Sequence, residues 1–208
     1  MGMTRLLVIT GMILAAAAAR LIPHPPNFTP VAAMALFAGA TLSRPGLALL
    51  VPFAAMVLSD AVIYSSHSQH FDPMIYLIGQ AVVYGCFGLT VGMGRWLRSR
   101  YTVPCIAGTM LASSVLFFVV TNFAVWVMGQ GLGRPMTPAG LLACYVDALP
   151  FFRNTVLGDA LFSAVLFGGF ILAEHYFPAL REPVLVPAAA EPHNQGSTER
   201  DAYLGPSR

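Results

Sequence analysis

Two aspartates stand where a charge is costly. Asp60, in VPFAAMVLSDAVIY, and Asp159, in FFRNTVLGDALFSAV, both lie within long apolar runs. A carboxylate in hydrocarbon costs about 2.5–3.5 kcal/mol on insertion scales, and it faces either a partner or a wet cavity. Other hydrogen-bonding residues gather near them along the chain. RLIPHPPNFTP brings Arg20, His24 and Asn27, and SDAVIYSSHSQHFDPMIY brings Ser59, Tyr64, His67, His70, Asp72 and Tyr76. TNFAVW brings Thr121, Asn122 and Trp126, and the region before Asp159 adds Tyr145, Asp147, Arg153 and Asn154.

Three chemistries fit this set. The aspartates could cap helices and pair with arginines, locking a bundle. They could line a pocket that hydrogen-bonds a solute. Asp60, His67 and Asp159 could instead act in acid–base catalysis at an interface. His67-x-x-His70 beside Asp72 falls short of the three or four converging donors that a divalent site needs, so no metal is expected. There is no H-E-x-x-H, G-x-S-x-G or phosphate-loop motif, and all eleven basic residues are arginine, which excludes a Schiff-base lysine. No cofactor is expected. A net charge of +2 gives no ground for a nucleic-acid partner.

The elements that must position these residues are membrane helices. Hydrophobic residues make up 57% of the chain and charged ones 10%, against about 25% charged in soluble domains. Runs of roughly 20 apolar residues are the length of a span. They predict an all-α, polytopic protein with six transmembrane helices near 6–22, 30–43, 46–65, 74–97, 103–128 and 154–177. Residues 1–177 form the transmembrane domain, and 178–208, rich in Pro, Ala and polar residues, form a disordered cytoplasmic tail. In the connection GQGLGRPMTPAGLLACYVDALPFFRN, the stretch LLACYVDALPFF reads as re-entrant or interfacial. The N-terminus, MGMTRLLVITGMILAAAAA, has features of a signal peptide. Gly11, Ala15 and Ala19 give it a small-xxx-small stripe, which favours a retained first span. Gly88 and Gly92 suggest a packing motif in the fourth. Cys86, Cys105 and Cys144 are an odd set without metal-ligand spacing, and no disulfide is expected.

Arginine placement predicts sidedness. Arg5, Arg44, Arg95, Arg98, Arg100 and Arg181 fall on one set of connections and ends, and Arg20, Arg134 and Arg153 on the other. This places both termini in the cytoplasm, for a multi-pass protein of the inner (plasma) membrane. The first, third and fifth connections then face outward, the side where the polar residues concentrate. Pro23, Pro25, Pro26 and Pro30 stiffen the first of them.

PHPPNFTPVAAMALFAGA, VPFAAMVLSD, FFVVTNFAVWVMG and GLLACYVDALPFFRNTVLGDALFSAVLFG occur in order over residues 20–169. They resemble a bacterial membrane family catalogued as domain of unknown function 6580. Members look like the substrate-binding S components of energy-coupling-factor (ECF) transporters, six-helix binders of vitamins or metals. The resemblance implies one small molecule held near the outer side under the first, third and fifth connections. It also implies an ATP-driven coupling module as a partner, met by an A-x-x-x-A stripe for which Ala15 and Ala19 stand. After Ser59-Asp60 the family pattern has a short Gly-Phe-His loop. Here the chain reads AVIYSSHSQHFDP, with His67 nearest to that histidine's place. The histidine beside the initiator methionine in nickel and cobalt S components is absent from MGMTR.

The expectation is therefore a substrate-binding membrane transport protein that takes up a vitamin or cofactor precursor. Its binding residues are His24, Asn27, Asp60, His67, Tyr76, Asn122, Trp126, Tyr145, Arg153, Asn154 and Asp159. A small membrane enzyme and a ligand-free scaffold subunit are the alternatives.

Overall fold

The computed structural model describes residues 2–67, 73–129 and 135–181, and among these every regular element is helical. The helices are α1 (Met3–Ala19), α2 (Val31–Thr41), α3 (Pro45–His67), α4 (Pro73–Leu97), α5 (Val103–Val127) and α6 (Pro138–Ser163). A π-turn at Ala164–Gly168 carries α6 directly into α7 (Gly169–Tyr176). Four rods are long and apolar enough to cross a membrane: Pro45–Ser65, Tyr76–Leu97, Val103–Val127 and Pro138–Tyr176.

One element is shorter than its apolar run, and one expectation needs correction. The second element has 11 residues, about 16 Å at 1.5 Å per residue, roughly half the hydrocarbon thickness. LLACYVDALPFF is neither re-entrant nor a separate interfacial piece, because it forms the body of α6. Thr137 starts that helix by accepting the Gly140 N–H at 3.1 Å, with Pro138 in the first turn. Pro150 lies inside α6. It removes one donor, and a helix packed among neighbours can carry through such a loss.

α2 is the centre of the bundle. VAAMALFAGAT has no polar stripe, and every residue from Ala32 to Thr41 is buried. Helices α1, α3, α4, α5 and α6 all touch it, α4 most extensively. The α2–α4 contact is backbone on backbone. A Cβ on Gly39 would stand 2.3 Å from the Val91 carbonyl oxygen, and one on Gly94 2.4 Å from that of Leu36. Small residues permit such an approach, and dispersion between the backbones holds it. The sequence motif pointed to other glycines. A Cβ on Gly88 would meet only the Phe53 ring at 3.7 Å, and one on Gly92 would meet nothing within 4 Å.

Arginines close one end of the bundle. Arg95 donates to the carbonyls of Leu42 and Ser43 at 2.9 and 3.2 Å, and Arg98 to that of Thr41 at 3.3 Å. The carbonyls at and just past the α2 C-terminus thus meet cations, which also complement the helix dipole. Arg5 pairs with Glu174 and donates to the Leu180 carbonyl, with its guanidinium 5.0 Å from the Phe170 ring. That clasp ties α1 to α7. Ile9, Ile13, Ala16 and Ala17 form the core face of α1, whereas Gly11 and Ala15 are exposed and Ala19 is half-buried. The small-residue stripe therefore faces away from the bundle. Helical structure continues past 177 as a 3-10 turn, Pro178–Leu180, with Leu180 buried. The remainder of the expected disordered tail, 182–208, lies outside the described residues.

Candidate functional site

At the end of the bundle opposite the Arg5 and Arg95 clusters, α3 and α4 present facing polar stripes. Tyr76, Gln80 and Tyr84 recur every four residues on α4, and Asp60 and Tyr64 are four apart on α3, so each set shares a helix face. The Tyr84 hydroxyl donates to Asp60 Oδ2 at 2.7 Å, and Arg20 Nη2 pairs with Asp60 Oδ1 at 2.7 Å. Arg20 also donates to Ser59 Oγ and lies 3.2 Å from the Met56 sulfur. Nearer that end of the bundle, Gln80 Nε2 donates to the Tyr76 hydroxyl at 2.8 Å, and the Tyr64 and Tyr76 rings are 4.9 Å apart.

Aromatic wedges keep the two helices apart. The Phe53 ring sits between Tyr84 and Phe87, at centroid distances of 5.6 and 5.1 Å. α3 and α4 consequently touch only lightly. Between the two helices Asp60 is buried, and Tyr64, Tyr76, Gln80 and Tyr84 on the facing stripes are half-buried. Arg20 and Asp60 neutralise one another there, and removing either would strand the other charge, which is the costly way to break such a pair. Arg20 Nε is buried and has no partner among the described residues.

A second polar cluster lies where α6 meets the proline-rich segment. Asn154 Nδ2 donates to the Pro26 carbonyl at 3.0 Å. One turn on, Gly158 lets the backbone of Phe28 and Thr29 lie against the helix, since a Cβ there would stand 3.0 Å from the Thr29 nitrogen. Another turn on, the Phe162 ring lies 6.1 Å from that of Phe28. Asp159, 1% exposed, accepts hydrogen bonds from the N–H groups of Ala32 and Ala33, and from Ser114 Oγ at 2.6 Å. Pro30, at the N-cap of α2, provides no side-chain cap. Asp159 therefore caps α2 from another helix, its oxygens meeting amides that have no partner within the helix. Asn27 turns the segment at φ 63°, a left-handed conformation that asparagine tolerates.

The expected site residues thus fall into separate groups. Asp60 and Tyr76 belong to the facing polar stripes of α3 and α4. Asn154 and Asp159 hold the proline-rich segment. His24, Asn27 and Arg153 are exposed, with His24 Nδ1 3.0 Å from the Pro25 carbonyl oxygen. Trp126 and Tyr145 stitch α5 to α6 and to the chain before it, whereas the Asn122 side chain bonds within α5. Tyr145 donates to the Val119 carbonyl at 2.7 Å, Trp126 Nε1 to that of Pro135 at 3.2 Å, and Asn122 to that of Phe118 at 2.8 Å. His67 ends α3, but its side chain lies outside the described part of the chain, as do His70, Asp72 and Arg134. Gln80 and Tyr84 escaped the sequence reading. Their four-residue spacing from Tyr76 is the signal that marks them.

The model of the family of unknown function DUF6580 matches residues 2–180. The chain belongs to this family. No curated protein and no solved structure matches it. In this DUF6580 chain, the stretches PHPPNFTP and NTVLGDALF form the two halves of one latch. The proline-rich segment is fixed to α6 through Asn154, Gly158 and Phe162, and the helix that follows it is capped by Asp159.

Proposed function

We propose that this chain is an integral membrane protein that binds a small polar, aromatic solute in a crevice between α3 and α4, as a substrate-binding uptake component resembling an ECF S component. The observation that carries the reading is the linked set Arg20–Asp60–Tyr84 with Gln80, Tyr76 and Tyr64 beside it. It combines aromatic faces with a few placed polar groups, the usual make-up of a solute pocket. Membrane insertion is supported by large apolar residues exposed on the long helices, among them Leu50, Leu58, Leu89, Phe123, Leu161 and Val165. Arg5, Arg95, Arg98 and Arg181 lie at the other end of the bundle, so the positive-inside rule turns the crevice outward and leaves both termini in the cytoplasm. The exposed Gly11 and Ala15 leave a face of α1 open to a coupling module, which would have to supply any ATP hydrolysis.

A thermal-shift screen of the detergent-solubilised protein against vitamins and cofactor precursors tests this. A ligand at 100 times its dissociation constant adds about 2.7 kcal/mol to the folded state. Tyr84→Phe and Gln80→Ala should each weaken that shift, whereas Asn154→Ala should lower the starting stability and leave the shift intact. A hit whose shift survives both crevice variants would place the site elsewhere, and an empty screen would remove the binding reading.

The scaffold reading has one observation in its favour. Asp60 and Asp159 both already hold protein partners, which a purely structural network also requires. It predicts that the crevice variants change stability alone.

A further inference from the structure

At the arginine-rich end, the C-terminal turns of α4 and the N-terminal turns of α5 enclose a groove of about 390 Å³, lined by Met93, Trp96, Cys105, Gly108, Thr109 and Ala112. Its walls are apolar. Even the Thr109 hydroxyl is turned to its own helix, donating to the Cys105 carbonyl at 2.7 Å. Gly108 contributes depth, since a Cβ there would meet nothing within 4 Å. At the mouth, the exposed Arg100 guanidinium stacks 4.5 Å over the half-exposed Trp96 ring. From Pro73 to Val127 the chain carries Arg95, Arg98 and Arg100 and no carboxylate.

We propose that this groove holds an acyl chain of an anionic phospholipid, with Arg100 on the headgroup phosphate. An apolar slot beside a cation that has no carboxylate partner among the described residues matches an amphiphile with a negative head. Basic pockets between membrane helices recognise anionic lipids by this combination, and tryptophan favours the same depth. A second copy of the chain is the poorer occupant. Twofold packing through this groove would bring the arginines of one copy toward those of the other. The proposal rests on the membrane-spanning reading above and is independent of what the crevice binds.

Cys105 reports on the groove. The full chain is reconstituted in vesicles of phosphatidylcholine alone, or of phosphatidylcholine mixed with phosphatidylglycerol. Maleimide modification of Cys105 is followed peptide by peptide, with the buried Cys86 and Cys144 as internal standards. Phosphatidylglycerol should slow modification about fivefold, the preference that one arginine near the surface provides. Arg100→Gln should abolish the difference between vesicles. Gly108→Leu, which fills open space, should abolish it by occupying the slot.

Equal rates for the wild type in both vesicles would overturn the proposal, as would a difference that survives Arg100→Gln. Protection that follows protein density rather than lipid class would assign the groove to a second copy. Protection by inorganic phosphate in phosphatidylcholine vesicles would reduce it to an anion site. Alkaline carbonate extraction of the same membranes tests insertion separately. A chain released by carbonate removes the membrane reading itself, while a retained chain with equal labelling removes only the lipid site.

Discussion

Replacing Asp159 tests whether α2 is held in place by a carboxylate from α6. Met34 N–H already bonds the Pro30 carbonyl at 2.9 Å, so the donors that depend on Asp159 are the amides of Ala32 and Ala33. Ser114 has an alternative acceptor in the Met110 carbonyl at 3.1 Å and adds little to the loss. Asp159→Ala leaves two buried amides unpaired at about 1–3 kcal/mol each, a loss of about 2–6 kcal/mol. Asp159→Asn keeps one carbonyl oxygen for the amides and turns its NH2 toward Ser114, so its cost should stay near 1–2 kcal/mol. For a chain of this size each kcal/mol shifts Tm by about 2–4 °C, which places the alanine variant roughly 8–16 °C below wild type at mid-range. The assay is thermal unfolding in detergent by circular dichroism, paired with amide exchange over Val31–Met34. If α2 is capped as described, exchange in that turn accelerates before the rest of the bundle responds. Equal melting of the alanine and asparagine variants, or unchanged exchange at Ala32 and Ala33, would refute the argument.

Gly39→Ala and Gly94→Ala each drive a methyl into a neighbouring backbone and should cost at least about 1–3 kcal/mol as overpacking. Gly88→Ala and Gly92→Ala meet no such obstacle and should be neutral or stabilise the helix by up to about 1 kcal/mol, all four being read from the same melts. Tyr101, in the connection between α4 and α5, has its phenol pushed above the ordinary value, first by burial and then by the charge of Glu174. A raised folded-state value means stability that is complete below the unfolded phenol's titration near pH 10 and declines as pH rises above it. Tyr101→Phe should flatten that alkaline loss, and a melt series from neutral to strongly alkaline pH reads the difference.

Much of the helical content was legible because a long apolar run with sparse charge has few other options. α3, α4 and α5 begin and end within about two residues of the runs that predict them, within the usual ambiguity of helix ends. The failures have local causes. LLACYVDALPFF is a short apolar run in a long connection and holds Pro150, yet a packed helix absorbs one missing donor and runs through it. The second run reads as a marginal span, since nothing in VAAMALFAGAT reveals that both its ends would be met by side chains from elsewhere. Gly88 and Gly92 satisfy a spacing rule, but the contact fell to Gly94, because helix rotation decides which glycine faces a neighbour.

The polar residues follow the same division. Composition and arginine placement by themselves determined that the chain is helical and apolar, and that its aspartates must find partners near one end, because an unpaired carboxylate in an apolar run is too costly to leave. Which partner each one found was decided only by tertiary structure. Asp159 meets the start of α2 and Ser114, while Asp60 meets Arg20 and Tyr84. Residues that are 24 to 128 positions apart bond one another in these clusters. Their meeting depends on how far apart Phe53 wedges α3 and α4, and on how closely Gly39 and Gly94 let α2 approach α4. Those distances are properties of packed pairs of helices, and no single stretch of sequence contains them.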